Sequence, residues 1–266
     1  MRVDVKVVAD REVARLARAR FNRLVQLAET TSTNTVVAEE ASIGAPEGLV
    51  VVADYQSAGR GRFERKWEAP RGASLLFSVL ARPGAAELPP SRRHLAVAAV
   101  SLALAEAAGR AASVRLALKW PNDLIAAGAP GLKVAGLLAE VTTDGGLVVG
   151  AGLNVAWAPE GATCVEALAG RPVDRGALLV EALLALDRLY GDWDHVAQLY
   201  RESCATIGRT VTVSYCGRAP DLSGTAVDVD DAGRLLVRAA GDDAFLGRLV
   251  AVAAGDVVHA RTGTSA

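Results

Sequence analysis

The chain has 266 residues, of which 51% are hydrophobic and 22% are charged, and its formal net charge is −1. A chain of this length can bury a substantial core, and this balance of apolar and charged residues excludes an intrinsically disordered protein. A net charge so close to zero also argues against a general nucleic-acid-binding or membrane-surface protein.

Short helices and strands follow one another through the first 80 residues. Val13, Leu16 and Ala17 recur at helical spacing, which predicts a first amphipathic helix. A cluster of N-cap formers around Ser32 and Asn34 precedes a second helix. The predicted helices span 10–20 and 35–42, and the predicted strands span 23–27, 49–54 and 74–80.

The middle of the chain is predicted to contain two long helices and several strands. The dipeptide Asp144-Gly145 lies between two apolar runs, which is typical of a tight β-hairpin. The predicted helices span 89–108 and 175–204; the predicted strands span 114–118, 133–141 and 147–150, with a turn over 119–123. Adjacent antiparallel strands with separate helices indicate an α+β fold rather than strict βαβ alternation.

The pattern changes after Ile207. Short alternating runs are separated by glycine and aspartate turns, which predicts a small antiparallel barrel of about 55 residues. The sequence therefore predicts two domains, 1–207 and 208–266. The predicted barrel strands span 210–215, 224–229, 235–238 and 257–260.

Cysteine content and hydropathy bear on the compartment. Cys164, Cys204 and Cys216 form no C-x-x-C pair, and an odd number of cysteines cannot all be bridged within one chain. This favours a reducing compartment, with each cysteine an apolar filler or a surface thiol. No run of about 18 apolar residues is present, and the N-terminus is too charged for a signal peptide. We expect a cytoplasmic protein with no membrane partner.

The loop 56–67, which reads QSAGRGRFERKW, concentrates positive charge. Gly59 and Gly61 tolerate positive φ and could let backbone N–H groups converge on an anion. The interleaved Arg60 and Arg62 add forked donors suited to carboxylate and phosphate. Taken alone, the loop is equally consistent with a solvated surface turn. Trp67 is consistent either with a core residue or with a ring that covers a stacked base.

Two nucleotide-binding signatures are not met. The P-loop pattern G-x-x-x-x-G-K-[ST] is absent. The segment Gly150-Ala151-Gly152 follows a predicted strand, but Val155 stands where a dinucleotide fingerprint needs its third glycine. We therefore expect a tight glycine bend at which the backbone approaches a ligand.

The segment KWPND, residues 119–123, is consistent with an ordinary Pro-Asn-Asp turn. A functional interpretation gives Asp123 to a cationic or metal-bound partner and Asn122 to polar recognition. Lys133 opens an apolar strand, and period-two alternation sets it on the opposite face from Gly136. Such a lysine is either exposed at the strand end or directed at an anion.

Taken in order, these segments resemble the biotin protein ligases. The match runs through Ser32-Thr33-Asn34, the GRGR-x-x-RKW loop, KWPND, Lys133-Val134-Ala135-Gly136 and Gly150-Ala151-Gly152-Leu153-Asn154, and covers the chain from about Glu29 onward. The pairing of the arginine loop with KWPND is the most specific part. The resemblance implies a catalytic domain related to class II aminoacyl-tRNA synthetases and an SH3-like C-terminal domain.

The resemblance also implies an activity and its site. Biotin would attack MgATP to give biotinyl-5′-AMP, and a lysine of a biotin carboxyl carrier domain would then accept biotin. Arg62 and Lys133 would be catalytic, and Asp123 would help to hold Mg²⁺. Biotin binding is implied for Ser32, Thr33, Asn34, Gln56, Gly59, Arg60, Gly61, Arg62, Lys133, Gly136 and Gly152. Nucleotide binding is implied for Arg62, Arg65, Trp67, Lys119, Asn122, Asp123 and Asn154.

Other functions remain open at this point. A lipoate or other acyl-protein ligase has a related domain, and a non-catalytic biotin or nucleotide sensor would share the binding residues. A nucleic-acid-binding protein is disfavoured because the basic excess is confined to one loop. About 28 residues precede the first motif, so we expect no DNA-binding module and no specific DNA partner. The sequence does not decide between monomer and homodimer. The three histidines, His94, His195 and His259, are expected to be structural or surface residues.

Overall fold

The computed structural model describes residues 6–128, 131–215, 221–240, 247–253 and 255–259. The helices are α1 (Asp10–Val13), α2 (Thr33–Ser42), α3 (His94–Ala112), α4 (Val165–Ala169), α5 (Arg175–Leu189) and α6 (Trp193–Ser203). The strands are β1 (Arg23–Leu27), β2 (Leu49–Ala53), β3 (Ser74–Ala81), β4 (Leu116–Lys119), β5 (Asp123–Ala126), β6 (Lys133–Val141), β7 (Leu147–Asn154), β8 (Thr210–Ser214), β9 (Leu222–Val229), β10 (Leu235–Ala239), β11 (Leu249–Val252) and β12 (Asp256–His259).

The larger sheet has seven strands in the order β1-β2-β3-β7-β6-β5-β4. Strand β1 pairs in parallel with β2, and every other neighbouring pair in this sheet is antiparallel. The chain is therefore a mixed α/β protein with mainly antiparallel strands, which confirms the predicted fold class at this level. The parallel pair is joined through α2, the crossover helix that parallel strands require.

The two faces of this sheet are covered unequally. On one face, alternate residues such as Val50, Phe77 and Leu153 join the main core under α3 and α5. Each such large side chain, fully buried, contributes about 1.5–3 kcal/mol relative to exposure. On the other face α2 alone covers a small cluster that includes Val51 and Val148. Because α2 has only ten residues, it leaves the adjoining part of this face, over β6 and β7, open for a site.

Three sequence-based expectations about the helices need correction. The first helix is shorter than predicted, because α1 gives way to a 3₁₀ turn over Ala14–Leu16. The predicted helix 175–204 is two helices, separated at Gly191, whose φ of 99° breaks a right-handed helix. Asp192 then caps α6 by accepting from the backbone N–H of His195. The short α4 was not predicted.

Two strands of the large sheet also differ from expectation. Strand β5 was missed, and Asp123 begins it rather than lying in a turn; Lys119 and Asp123 are register partners across the β4–β5 hairpin. Strand β7 continues through Asn154, so the expected glycine bend at Gly150 and Gly152 is regular strand. Glycine occurs within this strand because the side chains of Asn34 and Trp67 leave no room for a Cβ atom at Gly150 and Gly152.

One helical stretch of the described chain, Pro90–Ala112, is long and apolar enough to pass a composition test for a membrane span. Of its most apolar 18-residue segment, 61% is buried within the protein. Its α3 portion packs against α5 and α6 and contributes Leu95, Leu104 and Ala108 to the main core. The stretch is therefore a core helix of this fold.

The second sheet has five strands in the order β11-β10-β9-β8-β12, all antiparallel. Strand β11 was not predicted, while Cys216 and Ala260 lie outside the described residues. Trp120 Nε1 donates to Gly233 O at 2.9 Å, which ties the β4–β5 turn to the second sheet. The buried residues of the second sheet join the main core of the large sheet in one continuous cluster, and the division at Ile207 stays a prediction.

Cys164 and Cys204 are both free and buried. Burial raises the pKa of the Cys204 thiol above its ordinary value, so this sulfur stays protonated and packs as a small apolar group. Both side chains agree with the expected filler role.

Of the three histidines, His195 is exposed and the side chain of His259 lies outside the described residues. His94 starts α3, and its ring faces Gly233 in the second sheet, where a Cβ atom would lie 2.5 Å from its Cγ. Burial lowers the pKa of His94, and hydrogen bonding of its ring to the backbone of Ser91 opposes this. Around the ring, Arg92 and Arg201 lower this pKa and Asp230 raises it.

A pH dependence of stability follows from His94. With its folded pKa below the unfolded value of about 6.5, the unfolded chain binds more protons under acidic conditions, and stability falls as pH drops below about 6.5. We expect His94→Gln to lose less thermal stability than the unsubstituted protein between about pH 7.5 and about pH 5.5. Thermal melting at both pH values measures this. His195→Gln is the matched control, and an acid loss undiminished by His94→Gln would contradict the assignment.

Candidate active site

A cavity of about 260 Å³ opens on the uncovered face of the large sheet. Its floor is formed by β6 and β7, where Gly136 pairs with Gly152 and Leu138 pairs with Gly150. The absence of side chains at the three glycines creates the depth of the cavity. Of the site residues expected from the sequence, the following line it: Ser32, Thr33, Asn34, Gln56, Arg60, Gly61, Arg62, Arg65, Trp67, Asn122, Asp123, Lys133, Gly136, Gly152 and Asn154.

Gly59 and Lys119 are the two expected residues that do not line this cavity. Gly59 supports the loop instead: a Cβ atom there would lie 2.4 Å from the carbonyl oxygen of Trp67. Lys119 ends β4, one hairpin away from the cavity wall. Both therefore lie beside the cavity rather than on its surface.

One end of the cavity is a polar recess at the start of α2. Ser32, Thr33 and Asn34 are only 5%, 3% and 4% exposed. The Oε1 atom of Gln56 accepts from the backbone N–H of Thr33 at 2.8 Å and lies 3.0 Å from Thr33 Oγ1. This recess offers hydrogen-bonding groups without net charge, which suits a neutral polar ring.

Sequence reasoning missed Ser78, which completes the recess from β3. Its Oγ lies 2.7 Å from Thr33 Oγ1 and 2.6 Å from Asn34 Oδ1, and the residue is fully buried. A Cβ atom at Gly150 would lie 2.0 Å from Asn34 Oδ1. A polar residue in an otherwise apolar strand was the available signal, and its partners are more than 40 residues away in sequence.

The arginine loop is a tight hairpin over the cavity. Trp67 N donates to Gly59 O at 2.9 Å, and Gly61 N donates to Arg65 O at 2.7 Å. Gly61 is extended, with φ −116°, and Gly59 is not among the glycines with positive φ. The expected anion nest of left-handed glycines is therefore wrong for this conformation. Phe63 at the loop tip has a positive φ of 54° instead.

Trp67 lies on the glycine floor. A Cβ atom at Gly152 would be 2.4 Å from Trp67 Cε2, and one at Gly136 would be 3.1 Å from Cζ3. The Nζ atom of Lys133 is 5.6 Å from the ring centroid. Trp67 Nε1 is buried and has no hydrogen-bond partner among the described residues, so this donor is available to a ligand in the cavity.

The charged end of the cavity is built by β5, β6 and the loop. Lys133 Nζ and Asp123 Oδ1 form an ion pair at 2.6 Å. Asn122 is held by donation from its Nδ2 to Leu137 O at 2.6 Å, and its Oδ1 lies 3.4 Å from Arg62 Nη1. Arg62 Nη1 also lies 3.5 Å from Gly255 O, so the second sheet reaches this end.

Asn154 closes the β7 side of the cavity. It is 2% exposed, and its Nδ2 donates to Thr163 O at 3.2 Å. Within the described residues, no three His, Cys, Asp or Glu side chains cluster as a metal site would require. The acidic group on the predicted list, Asp123, lines the cavity together with Glu68 and is paired with Lys133.

Known proteins carry the same two-part arrangement. The Biotin/lipoate A/B protein ligase family matches residues 27–155, and the Biotin protein ligase C terminal domain matches residues 206–260. The biotin–[acetyl-CoA-carboxylase] ligase of Mycobacterium tuberculosis is 36% identical over 253 residues, covering 91% of this chain and 90% of that protein. The chain belongs to the biotin protein ligase family. The resemblance seen in the sequence motifs is thereby confirmed.

Three further relatives of this biotin protein ligase family member are informative. The bifunctional ligase/repressor BirA of Bacillus subtilis is 32% identical, over 78% of this chain and 66% of its own length. The Aquifex aeolicus biotin protein ligase in complex with biotin and ATP superimposes with a TM-score of 0.73 at 25% identity, covering 91% of this chain and all of that one. The Leishmania major enzyme in complex with biotinyl-5-AMP gives 0.62 at 25% identity, covering 87% and 99%.

Proposed function

We propose that this protein activates biotin with ATP to form biotinyl-5′-AMP and transfers biotin to a lysine of a biotin carboxyl carrier domain. The observation that carries the proposal is one cavity with a neutral polar recess at one end and Arg62, Lys133 and Asp123 at the other. Biotin has a neutral bicyclic ureido ring and a carboxylate tail, which match the neutral and the charged end of the cavity. Membership of the biotin protein ligase family indicates biotin and ATP as the substrates. ATP and biotin are substrates here, and no other organic cofactor is required.

Biotin would lie with its ring in the polar recess. Thr33 and Gln56 supply oxygen acceptors for the ureido N–H groups, and Ser32 borders them on the cavity wall. Asn34 contributes indirectly, because its amide is engaged with other protein groups. Gly136 and Gly152 would shape the biotin site indirectly, by letting the Trp67 ring lie against the sheet, which side chains there would prevent.

The first half-reaction brings a carboxylate against a triphosphate. Arg60 would hold the biotin carboxylate, and Arg62 and Lys133 would neutralise this repulsion and stabilise the charge that develops on the α-phosphate. The biotin carboxylate oxygen forms a bond to phosphorus, and the bond to the bridging oxygen of pyrophosphate breaks. The backbone of Gly61, between the two arginines, would lie against the same group.

The nucleotide would occupy the side of the cavity lined by Trp67, Asn122 and Asn154, with the unpartnered Trp67 Nε1 facing it. Arg65, exposed at the loop base, and Lys119, one hairpin away, would add positive charge near the phosphates. Mg²⁺ commonly binds through one or two carboxylates plus substrate phosphates, and Asp123 fits one such carboxylate. Mg²⁺ bound with ATP would supply further neutralisation of phosphate charge.

The second half-reaction needs only a neutral lysine amine placed against the mixed anhydride. Attack on the acyl carbon forms the amide bond and expels AMP, and positioning supplies much of the rate. We propose that the division of labour follows two domains, 1–207 and 208–266. The first would be related to class II aminoacyl-tRNA synthetases and the second would be SH3-like. The contact between Arg62 and Gly255 O supports a role for the second domain near the site.

Transfer to a carrier domain tests the complete reaction. With biotin, MgATP and a purified biotin carboxyl carrier domain, we expect intact-mass analysis to show addition of one biotinyl group. Replacement of the acceptor lysine of the carrier by arginine should abolish the addition. If the unsubstituted carrier gains no biotinyl group, the proposed transfer is contradicted. Modification by lipoate in place of biotin would favour the related lipoate-ligase function.

Arg62 is expected to retain the adenylate. The hairpin loop places its guanidinium at the charged end of the cavity, where the phosphate of biotinyl-AMP would lie. We expect Arg62→Ala to release biotinyl-AMP into solution, because a hydrogen bond to a charged group is worth about 1.5–3 kcal/mol. Chromatography of the filtrate after reaction with biotin and ATP measures this release. Arg18→Ala is the control, because Arg18 is exposed and does not line the cavity; equal retention in both variants would contradict the role.

A further inference from the structure

Glu140 lies just outside the cavity and belongs to none of the family motifs in the sequence. It follows Gly136 and Leu138 on the same face of β6, and its register partner on β7 is Val148, under α2. Its side chain is 32% exposed. Glu140 thus stands between the first turn of α2 and the arginine loop.

The carboxylate of Glu140 contacts Arg60 in the arginine loop. Arg60 Nη2 lies 3.0 Å from Glu140 Oε1 and 3.2 Å from Oε2, and 3.4 Å from Thr35 Oγ1. These contacts engage one of the three guanidinium nitrogens. A guanidinium carries five N–H donors, so an Arg60 held in this way still has donors to offer to a ligand carboxylate.

The same carboxylate also contacts Asn34 in the polar recess. Asn34 Nδ2 donates to Glu140 Oε2 at 3.2 Å and to Leu138 O at 3.3 Å. A carboxylate only accepts hydrogen bonds, so it fixes the NH₂ group of Asn34 towards itself and turns Oδ1 towards Ser78. The orientation of this buried amide is therefore determined by the charge on Glu140.

The orientation of Asn34 sets the proton order of the recess. Three oxygen–oxygen contacts run from Asn34 Oδ1 to Ser78, from Ser78 to Thr33 and from Thr33 to Gln56 Oε1, at 2.6, 2.7 and 3.0 Å. Two hydroxyl groups supply only two protons. Ser78 Oγ donates towards both Asn34 Oδ1 and Thr33 Oγ1, and Thr33 Oγ1 donates to Gln56 Oε1. Asn34 Oδ1 and Gln56 Oε1 are therefore the acceptors at the two ends of this chain.

Loss of the carboxylate would release Asn34. A neutral glutamine at position 140 could donate to Asn34, and a flipped Asn34 would present its NH₂ group to Ser78. The recess would then lose the Oδ1 acceptor, and Ser78 would have only Thr33 to donate to. The long contact between Asn34 and Leu138 O would be the main interaction opposing this change. Acceptor oxygens in the recess are what the N–H groups of a ureido ring require.

We propose that Glu140 is a positioning residue for biotin, holding Arg60 across the cavity and fixing the amide of Asn34 with its Oδ1 in the polar recess. The inference rests on the proposed function in one respect, since it takes biotin as the substrate. Glu140 touches neither substrate. We expect Glu140 to affect biotin binding rather than ATP binding, because its two partners, Arg60 and Asn34, lie away from the side of the cavity lined by Trp67 and Asn122.

The test compares Glu140→Gln with the unsubstituted protein by calorimetric biotin binding and by steady-state kinetics. We expect the Kd and KM for biotin to rise by about tenfold or more, the effect of losing hydrogen bonds to a charged group. The KM for ATP and kcat should stay unchanged. Glu106→Gln is the matched control: Glu106 is 37% exposed and also pairs with two arginines, Arg110 and Arg188.

A double-mutant cycle with Ser78→Ala separates positioning from a general structural effect. Ser78 connects Asn34 to Thr33, so in a Ser78→Ala background Glu140→Gln should cost less in biotin affinity. Unchanged biotin affinity in Glu140→Gln overturns the inference. So does an equal rise in both KM values together with a lower melting temperature. If the unsubstituted protein binds no biotin, the proposed function and this inference are both overturned.

Discussion

Replacing Lys133 by alanine is expected to lower the rate of adenylate formation by about 10²–10³-fold. Lys133 opens β6 with its Nζ paired to Asp123 at 2.6 Å, on the cavity wall where the carboxylate and the α-phosphate would meet. Loss of one preorganised donor to a developing negative charge costs about 2.7–4 kcal/mol of barrier. Single-turnover formation of biotinyl-AMP is the measurement.

The control for Lys133 is Lys6→Ala. Lys6 also pairs with an aspartate at 2.6 Å, but it does so on the surface, with side chains 60% and 80% exposed. Such exposed pairs contribute about 0–1 kcal/mol, so we expect full activity from this variant. A Lys133→Ala protein that forms adenylate as fast as Lys6→Ala would remove Lys133 from the chemistry.

Gly152→Ala is expected to lower kcat/KM by about ten- to hundredfold without unfolding the protein. The added Cβ would lie 2.4 Å from Cε2 of Trp67, so the indole must leave the glycine floor or distort the loop that carries it. Overpacking of this kind costs typically about 1–3 kcal/mol. We expect this cost to destabilise the substrate-bound form, in which the loop is closed, because the loop can move away when no substrate is bound.

Gly109→Ala is the matched glycine control. Gly109 lies within α3, where an added Cβ meets nothing nearer than 4.0 Å. Alanine is favoured over glycine inside helices by roughly 0.5–1 kcal/mol, so this variant should melt slightly higher and retain full activity. Equal kcat/KM in the two variants would show that Trp67 need not rest on Gly152 during the reaction.

Strands with a clear hydrophobic pattern could be predicted from the sequence. The bounds of β1 and β6 are those expected, because both are rich in aliphatic residues and end at polar or turn residues. Strand β5 was missed because it has four residues and begins inside the KWPND motif. The break between α5 and α6 was missed because apolar residues continue on both sides of Gly191.

The glycines of β7 show why part of the site could not be predicted. Glycine is unfavourable within strands, so Gly150 and Gly152 indicated a bend. Their presence in a regular strand is explained by contacts with Asn34 and Trp67, residues more than 80 positions away in sequence. Local pattern carries no information about such distant neighbours.

The order of the motifs identified most of the residues on the cavity wall, since the loop, KWPND and Lys133 are specific in combination. Ser78 and Glu140 were missed because each is a polar residue within a mainly apolar strand and belongs to none of the motifs. Their importance comes from hydrogen bonds to Asn34, which only the folded chain brings together. Roles assigned to individual site residues stay predictions until the substitutions above are measured.

Biotin-dependent exchange of labelled pyrophosphate into ATP tests the central claim most directly, since it reports reversible adenylate formation without any carrier. The purified protein, given MgATP and labelled pyrophosphate, is assayed with biotin, with lipoate and with neither acid. The account predicts rapid incorporation of label with biotin and only background incorporation with lipoate or without an acid. Background exchange with biotin, or equal exchange with lipoate, would contradict it.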